Sequence, residues 1–135
     1  MQITASTVSL TVDDVAASQQ FFTAHLGYTE QAAADGFASL TRPDAAVDIV
    51  LLARGTQVLP ADQRDRRASG LILAFTTSDI QGEEKRLSAE GVDITMPLRE
   101  EPWGERLFQV TDPNGVVVQF VEWAVQGAGS SVADG

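Results

Sequence analysis

The chain contains no cysteine and a single histidine, His25, among its 135 residues. Disulfide bonds and thiolate metal sites are therefore excluded, as is a zinc centre built from several histidines of one chain. Basic residues are also few, because 9 Lys and Arg stand against 19 Asp and Glu, which gives a net charge of −10. This acidity argues against a nucleic-acid partner, whose phosphates are contacted by clustered Lys and Arg.

Long apolar runs are missing as well. No stretch approaches the roughly 20 residues that cross a membrane as a helix, and the N-terminus lacks a basic segment followed by an apolar one. We therefore expect a soluble, cytoplasmic protein without a membrane partner. A length of 135 residues corresponds to one ordinary domain or two very small modules.

The first half of the chain has the pattern of a strand, a helix and three more strands. Apolar Val8, Leu10 and Val12 alternate with polar residues, which is typical of a strand with one buried face. Asp14 is the predicted N-cap of the helix. Gly27 is predicted to end it, because glycine adopts the left-handed conformation without steric cost. The further strands are predicted in residues 28–33, 37–41 and 47–52.

The same pattern returns in the second half. Asp79 is predicted to cap a second helix that ends at Gly91. Strands are predicted in residues 71–77, 92–96, 106–110 and 116–123. The segment 112–115, Asp-Pro-Asn-Gly, is a strong type I turn signal between the last two.

The two halves can be aligned with each other. Asp14 and Asp79 are 65 residues apart, and the turn residues Thr41 and Thr111 are 70 apart. A repeat of this length indicates a duplicated βαβββ unit. We place the first module in residues 1–53, a charged linker in 54–70, the second module in 71–125 and a disordered Gly/Ala/Ser-rich tail in 126–135.

Three stretches of the sequence have a recognisable pattern, namely residues 8–28, 73–80 and 103–122. They resemble the vicinal oxygen chelate superfamily, which includes glyoxalase I, extradiol dioxygenases and bleomycin-resistance proteins. The most specific is the turn at 112–115 followed by the alternating strand that contains Gln119 and Glu122. The resemblance implies an α+β fold of two βαβββ modules, whose eight strands form a concave mixed sheet around a cavity. It also implies a homodimer.

In metal-dependent members of the superfamily, four ligands come from the first and last strands of each module. The resemblance puts these positions at Thr7, Ile49, Ile72 and Gln119. The internal repeat supports them, because Thr7 and Ile72 are 65 residues apart and Ile49 and Gln119 are 70 apart. Isoleucine cannot coordinate a metal, threonine is a weak neutral ligand, and glutamine offers one amide oxygen. We therefore predict that the protein binds no metal and no other cofactor.

Two carboxylates lie close to these positions in the sequence, Asp48 and Glu122. Strand alternation predicts that they point away from the face that carries Ile49 and Gln119. A shift of one residue in register would reverse this placement.

Alternation also predicts which residues line the cavity. The lining is apolar with a few neutral polar groups, as is usual for a small-molecule site, and it lacks both an acid–base pair and an activated nucleophile. We therefore assign no catalytic residue. Phe37 and the loop residue Trp103 are added because their rings can stack on a planar ligand. The predicted ligand-binding residues are Thr7, Ser9, Phe37, Ile49, Leu51, Ile72, Trp103, Gln119 and Val121.

Other conspicuous residues have structural explanations. Phe21, Phe22 and Phe108 are predicted to pack in the core, and His25 to interact with the last carbonyls of its helix. The charge clusters at residues 64–67 and 100–101 are predicted to be solvated.

Two functions are consistent with these features. The preferred one is a metal-free protein, similar to bleomycin-resistance proteins, that sequesters an aromatic or planar compound such as an antibiotic in a homodimer. The alternative is a metal-dependent lyase, isomerase or dioxygenase of the glyoxalase I type. A metal-free enzyme on the same scaffold also stays open.

Overall fold

A computed structural model describes residues 1–124, and the predicted tail at 126–135 lies outside the described residues. The elements are β1 (Thr7–Val12), α1 (Val15–His25), β2 (Thr29–Ala34), β3 (Phe37–Thr41), β4 (Asp48–Ala53), β5 (Ile72–Thr76), α2 (Ile80–Ala89), β6 (Ile94–Glu100), β7 (Glu105–Thr111) and β8 (Val117–Trp123).

Each half of the chain forms a four-stranded mixed sheet. The strand orders are β1-β4-β3-β2 and β5-β8-β7-β6, and in each sheet the first pair is parallel and the others antiparallel. The same topology in both halves confirms the predicted α+β fold of two βαβββ modules.

The chain divides into two compact units. The first comprises Met1–Leu71 with Asp112–Val116, and the second comprises Ile72–Thr111 with the described residues from Val117 on. The turn between β7 and β8 therefore groups with the first unit.

Both helices begin and end where the sequence predicts. Asp14 Oδ1 accepts the N–H of Ala17, and Asp79 Oδ1 accepts the N–H of Gly82, each at 3.1 Å. These bonds satisfy backbone donors that a helix start leaves unpaired. Gly27 and Gly91 follow the helices with φ of +72° and +85°. In residues 1–124, neither helix is long and apolar enough to cross a membrane.

One face of each sheet is packed against its helix. In the first unit, α1 contacts β2, β3 and β4. In the second unit, α2 contacts β6, β7 and β8, and Phe108 stacks on Phe120 with ring centroids 4.9 Å apart. Phe21, Phe22 and Phe108 are buried, as predicted.

A buried polar cluster joins the β7–β8 turn to α1 within the first unit. The Asp112 carboxylate accepts the Ser18 hydroxyl, and its other oxygen accepts the N–H groups of Asn114 and Val116. Asn114 Nδ2 donates to Ser18 Oγ at 2.6 Å and to the Asp14 carbonyl at 2.7 Å. Asn114 Oδ1 accepts the Asp14 N–H at 3.0 Å. The sequence predicted this turn, but not its attachment to the helix.

The strand β6 differs from its prediction. It runs from Ile94 to Glu100 and contains Pro97, whereas residues 92–96 were predicted. Because β6 is an edge strand and its register with β7 shifts between Met96 and Arg99, Pro97 sits at an irregularity where no ladder N–H is required.

The predicted linker, residues 54–70, contains no helix or strand. Its Ala68 N–H donates to the Thr11 carbonyl at 2.7 Å, along the free edge of β1. Arg54 and Arg67 both pair with Asp13, at 2.9 and 3.5 Å. The segment is therefore held against the first unit.

Candidate functional site

The side of the first sheet opposite α1 is its open face. In the ladder between β1 and β4, Thr7 is paired with Asp48 and Ser9 with Val50. Paired residues point to the same side of a sheet, and these four side chains are exposed or half-buried. Every second residue of β3 and β4 lies on the same face, as the pairing of these two strands shows. The open face of the first sheet carries Thr7, Ser9, Phe37, Ser39, Thr41, Asp48, Val50 and Leu52.

Ile49 and Leu51 are not on this face, so their predicted placement is wrong. Leu51 is paired with Leu10, Ile49 is paired with Val8 and Leu40, and the two are only 0% and 1% exposed. Both therefore belong to the side that packs against α1.

A difference in loop length explains this error. Residues 42–47 connect β3 to β4, whereas the shorter segment 112–116 connects β7 to β8. The repeat offset therefore changes between the third and fourth strands of each module. Val50, paired with Ser9, is the structural counterpart of Gln119, which is paired with Ala74. The position assigned to Ile49 thus belongs to Val50.

The two nearby carboxylates have different positions. Asp48 lies on the open face beside Thr7, and its Oδ1 accepts the Thr41 hydroxyl at 2.8 Å. Glu122 lies on the helix side of the second sheet, as predicted, where its Oε1 accepts the Ile80 N–H at 2.9 Å. The sequence did not predict Asp48 or Thr41 as site residues. The sequence around Asp48 gives no clear signal of the two faces, because residues 49–52 are all aliphatic and do not alternate with polar residues.

Charges are concentrated near the end of α1 and the β3–β4 loop. The Arg42 guanidinium donates to Asp44 and to the Leu26 carbonyl, and its hydrogen bond lowers the pKa of the Asp44 carboxyl. Burial raises the pKa of the Tyr28 phenol, Arg42 opposes this, and Asp48 and Asp44 reinforce it. Arg42, Asp44 and Asp48 therefore form a group of mixed charge around Tyr28.

The second sheet also has a face opposite its helix. Ile72, Gln119 and Val121 lie on it, as predicted; Ile72 is 52% exposed and Val121 is buried. Gln109 Nε2 donates to Gln119 Oε1 at 2.9 Å. Gln109 was not predicted as a site residue, because its position depends on the register between β7 and β8.

Trp103 lies in the connection between β6 and β7. Its side chain is 63% exposed, and its Nε1 donates to Glu105 Oε1 at 3.0 Å. Trp123, paired with Glu105 in the ladder, is 51% exposed. The second unit therefore presents two indole rings. His25 ends α1, on the helix side of the first sheet, with its ring edge-on to Phe21 at 5.6 Å.

The donor set does not fit a metal ion. Residues 1–124 contain no group of three or more His, Cys, Asp or Glu side chains arranged to hold one. The first unit offers Thr7 and Val50 at the ligand positions, with Asp48 adjacent, and the second offers Ile72 and Gln119. Aliphatic side chains have no donor atom, so no reaction step through a metal follows from these residues.

A surface depression lies elsewhere on the second unit, between α2 and β6. It is lined by Glu84, Lys85, Ser88, Ala89 and Ile94. It contains none of the predicted ligand-binding residues, and the Glu84 carboxylate already accepts the Leu98 N–H at 3.0 Å.

Comparisons with known proteins identify the family. The model of the Glyoxalase/Bleomycin resistance protein/Dioxygenase superfamily matches residues 4–120. The chain therefore belongs to this superfamily. No curated protein matches the sequence.

Solved structures share the fold. A glyoxalase/bleomycin resistance protein/dioxygenase from Nocardioides is 27% identical with a TM-score of 0.76, covering 95% of this chain and 88% of that one. TnmS3, an antibiotic-binding protein from Streptomyces sp. CB03234, is 22% identical with a TM-score of 0.72, covering 92% and 99%. Lactoylglutathione lyase from Agrobacterium tumefaciens is 17% identical with a TM-score of 0.70, covering 90% and 94%. The fold thus serves binding proteins and enzymes.

Proposed function

We propose that this protein binds a planar or aromatic small molecule, such as an antibiotic, without a metal and without changing it chemically. The observation that carries the proposal is the composition of the family's ligand positions, where Thr7, Val50, Ile72 and Gln119 replace the imidazole and carboxylate donors that a divalent metal needs. The open faces instead offer hydroxyl, amide and apolar groups, which orient and bury an organic ligand.

The aromatic side chains support a planar ligand. Phe37 lies on the open face of the first sheet, and Trp103 and Trp123 are largely exposed in the second unit. Exposed indole rings are costly in water and stack well on flat π-systems. The antibiotic-binding TnmS3 has the same fold, which supports this class of function for the scaffold. A homodimer and a cytoplasmic location remain predictions.

The alternative is a metal-dependent lyase, isomerase or dioxygenase. A lactoylglutathione lyase is among the structures that share the fold, which supports this alternative. Asp48 is one carboxylate on the open face of the first sheet. One carboxylate with a threonine is a poor site for a divalent ion, which prefers several charged or imidazole ligands. A metal-free enzyme on the same fold is the remaining alternative.

Metal content separates the two main classes. After purification without added metal and dialysis, we expect elemental analysis to find far less than about one Ni, Zn, Fe or Mn per chain. About one retained ion per chain would overturn the proposal. In that event, loss of the ion in Asp48→Ala but not in Glu30→Ala would locate it on the open face of the first sheet.

A further inference from the structure

Asp48 is the only carboxylate on the open face of the first sheet. The four strands of that sheet contain one other acidic residue, Glu30, which is paired with Leu40 on the α1 side. There the Glu30 carboxylate accepts the Gln19 side-chain amide at 3.0 Å. The two acids thus lie in the same sheet on opposite sides.

In the described part of the chain, the Asp48 carboxylate is not paired directly with a cation. Among residues 1–124, no Lys, Arg or His forms an ion pair with this carboxylate. Its side-chain partner is the neutral hydroxyl of Thr41, which occupies one of about four acceptor positions on a carboxylate. The residue is half-buried, and a partly desolvated carboxylate gains more from a nearby cation than a fully hydrated one.

We propose that Asp48 selects for cationic ligands, its carboxylate binding a protonated amine or amidinium on a planar ring system. This rests on the proposed function, because it concerns the same open face. The ligand nitrogen donates to the Asp48 oxygens that Thr41 leaves available, and the hydroxyls of Thr7 and Ser9 accept its remaining N–H groups. The net charge of −10 adds a long-range attraction for the same class of ligand.

The test compares two flat probes of one ring system at pH 7, a diaminoacridinium cation and neutral acridine, by calorimetric titration. Asp48→Asn keeps an oxygen for the Thr41 hydroxyl and removes the charge. Glu30→Gln is the matched control, since it makes the same change in net charge on the other side of the sheet. We expect Asp48→Asn to weaken cation binding about tenfold and to leave acridine binding unaltered, while Glu30→Gln changes neither.

Other results would overturn the proposal in distinguishable ways. Equal losses for both probes in Asp48→Asn would mean that the residue shapes the face rather than selecting charge. Equal losses of the cation in both variants would mean that only net charge matters. If neither probe bound the unaltered protein, the proposed function itself would fail. If Asp48→Asn does not fold, Asp48→Ser takes its place, because serine also removes the charge and offers an oxygen to the Thr41 hydroxyl.

Discussion

Thr7 and Asp48 face each other on the parallel strands β1 and β4, and both side chains lie on the face that α1 does not cover. The Asp48 carboxylate is oriented by the Thr41 hydroxyl from the neighbouring strand β3. The two faces of the first sheet therefore differ: aliphatic residues of β1 and β4 pack against the helix, and hydroxyl, carboxyl and apolar side chains are mixed on the other face.

This two-sidedness predicts opposite effects for neighbouring residues of β4. Leu51→Ala removes a fully buried side chain and should lower the free energy of unfolding by about 2–5 kcal/mol. Val50→Ala should cost about 1 kcal/mol or less, because Val50 is only half-buried. Ligand affinity should respond in the reverse order. Urea denaturation and calorimetric titration measure the two quantities, and a ligand effect confined to Leu51→Ala would contradict the assigned faces.

The buried cluster around Asn114 predicts a large loss of stability on truncation. Asn114→Ala removes three hydrogen bonds and leaves the Asp14 N–H without its partner, so we expect a loss of about 2–4 kcal/mol by chemical denaturation. Asp44→Ala is the control, since Asp44 occupies the repeat-related turn but is exposed. A similar loss in both variants would show that the turn, and not its attachment to α1, determines stability.

The two glycines that follow the helices predict unequal costs. Gly91→Ala introduces a side chain at positive φ with open space around it and should cost about 1 kcal/mol. At Gly27 a Cβ would also lie 2.8 Å from the Arg42 guanidinium and disturb its bond to the Leu26 carbonyl. Gly27→Ala should therefore lose about 1 kcal/mol more. Equal thermal midpoints for the two variants would disprove the role of Arg42.

Tyr28 predicts a loss of stability in alkali. Because the folded-state pKa of the phenol is raised above its ordinary value of 10.0, the folded protein holds this proton more tightly than the unfolded chain. The contribution is complete below pH 10.0 and is lost as the pH rises through the folded-state pKa. Tyr28→Phe should not show this loss of stability at high pH.

Tyr28 is the only tyrosine, so tyrosinate absorbance reports its pKa directly. If the free energy of unfolding fell equally with pH above 10.0 in the unaltered protein and in Tyr28→Phe, the raised pKa of Tyr28 would be contradicted.

Local signals in the sequence were sufficient for most of the fold. Asp14 and Asp79 lie directly before the two helices, and Gly27 and Gly91 follow their last turns, so both helices were predictable within a residue. The limits of β6 were less predictable. Proline disfavours a strand on average, and only the edge position and the irregular register with β7 make Pro97 acceptable.

The site was harder to predict because it depends on register between distant strands. Thr41 and Thr111 are 70 residues apart, but the loops that follow them differ in length, so this offset does not apply to β4 and β8. Using it placed Ile49 on the wrong face and left Asp48 out of the predicted site. The attachment of Asn114 to Ser18 joins residues 96 apart in the chain, and nothing near either residue in the sequence signals the partner.

Tryptophan fluorescence titrated with a planar aromatic compound, before and after treatment with a chelator, tests metal-free binding most directly. We expect saturable quenching that the chelator does not alter and that Trp103→Ala weakens, since this exposed indole is a proposed ligand contact. The dissociation constant, and not the amplitude of quenching, is compared between the proteins, because Trp103→Ala also removes one of the two tryptophans. Quenching that disappears with the chelator and returns with Ni²⁺ or Zn²⁺ would contradict the proposed function.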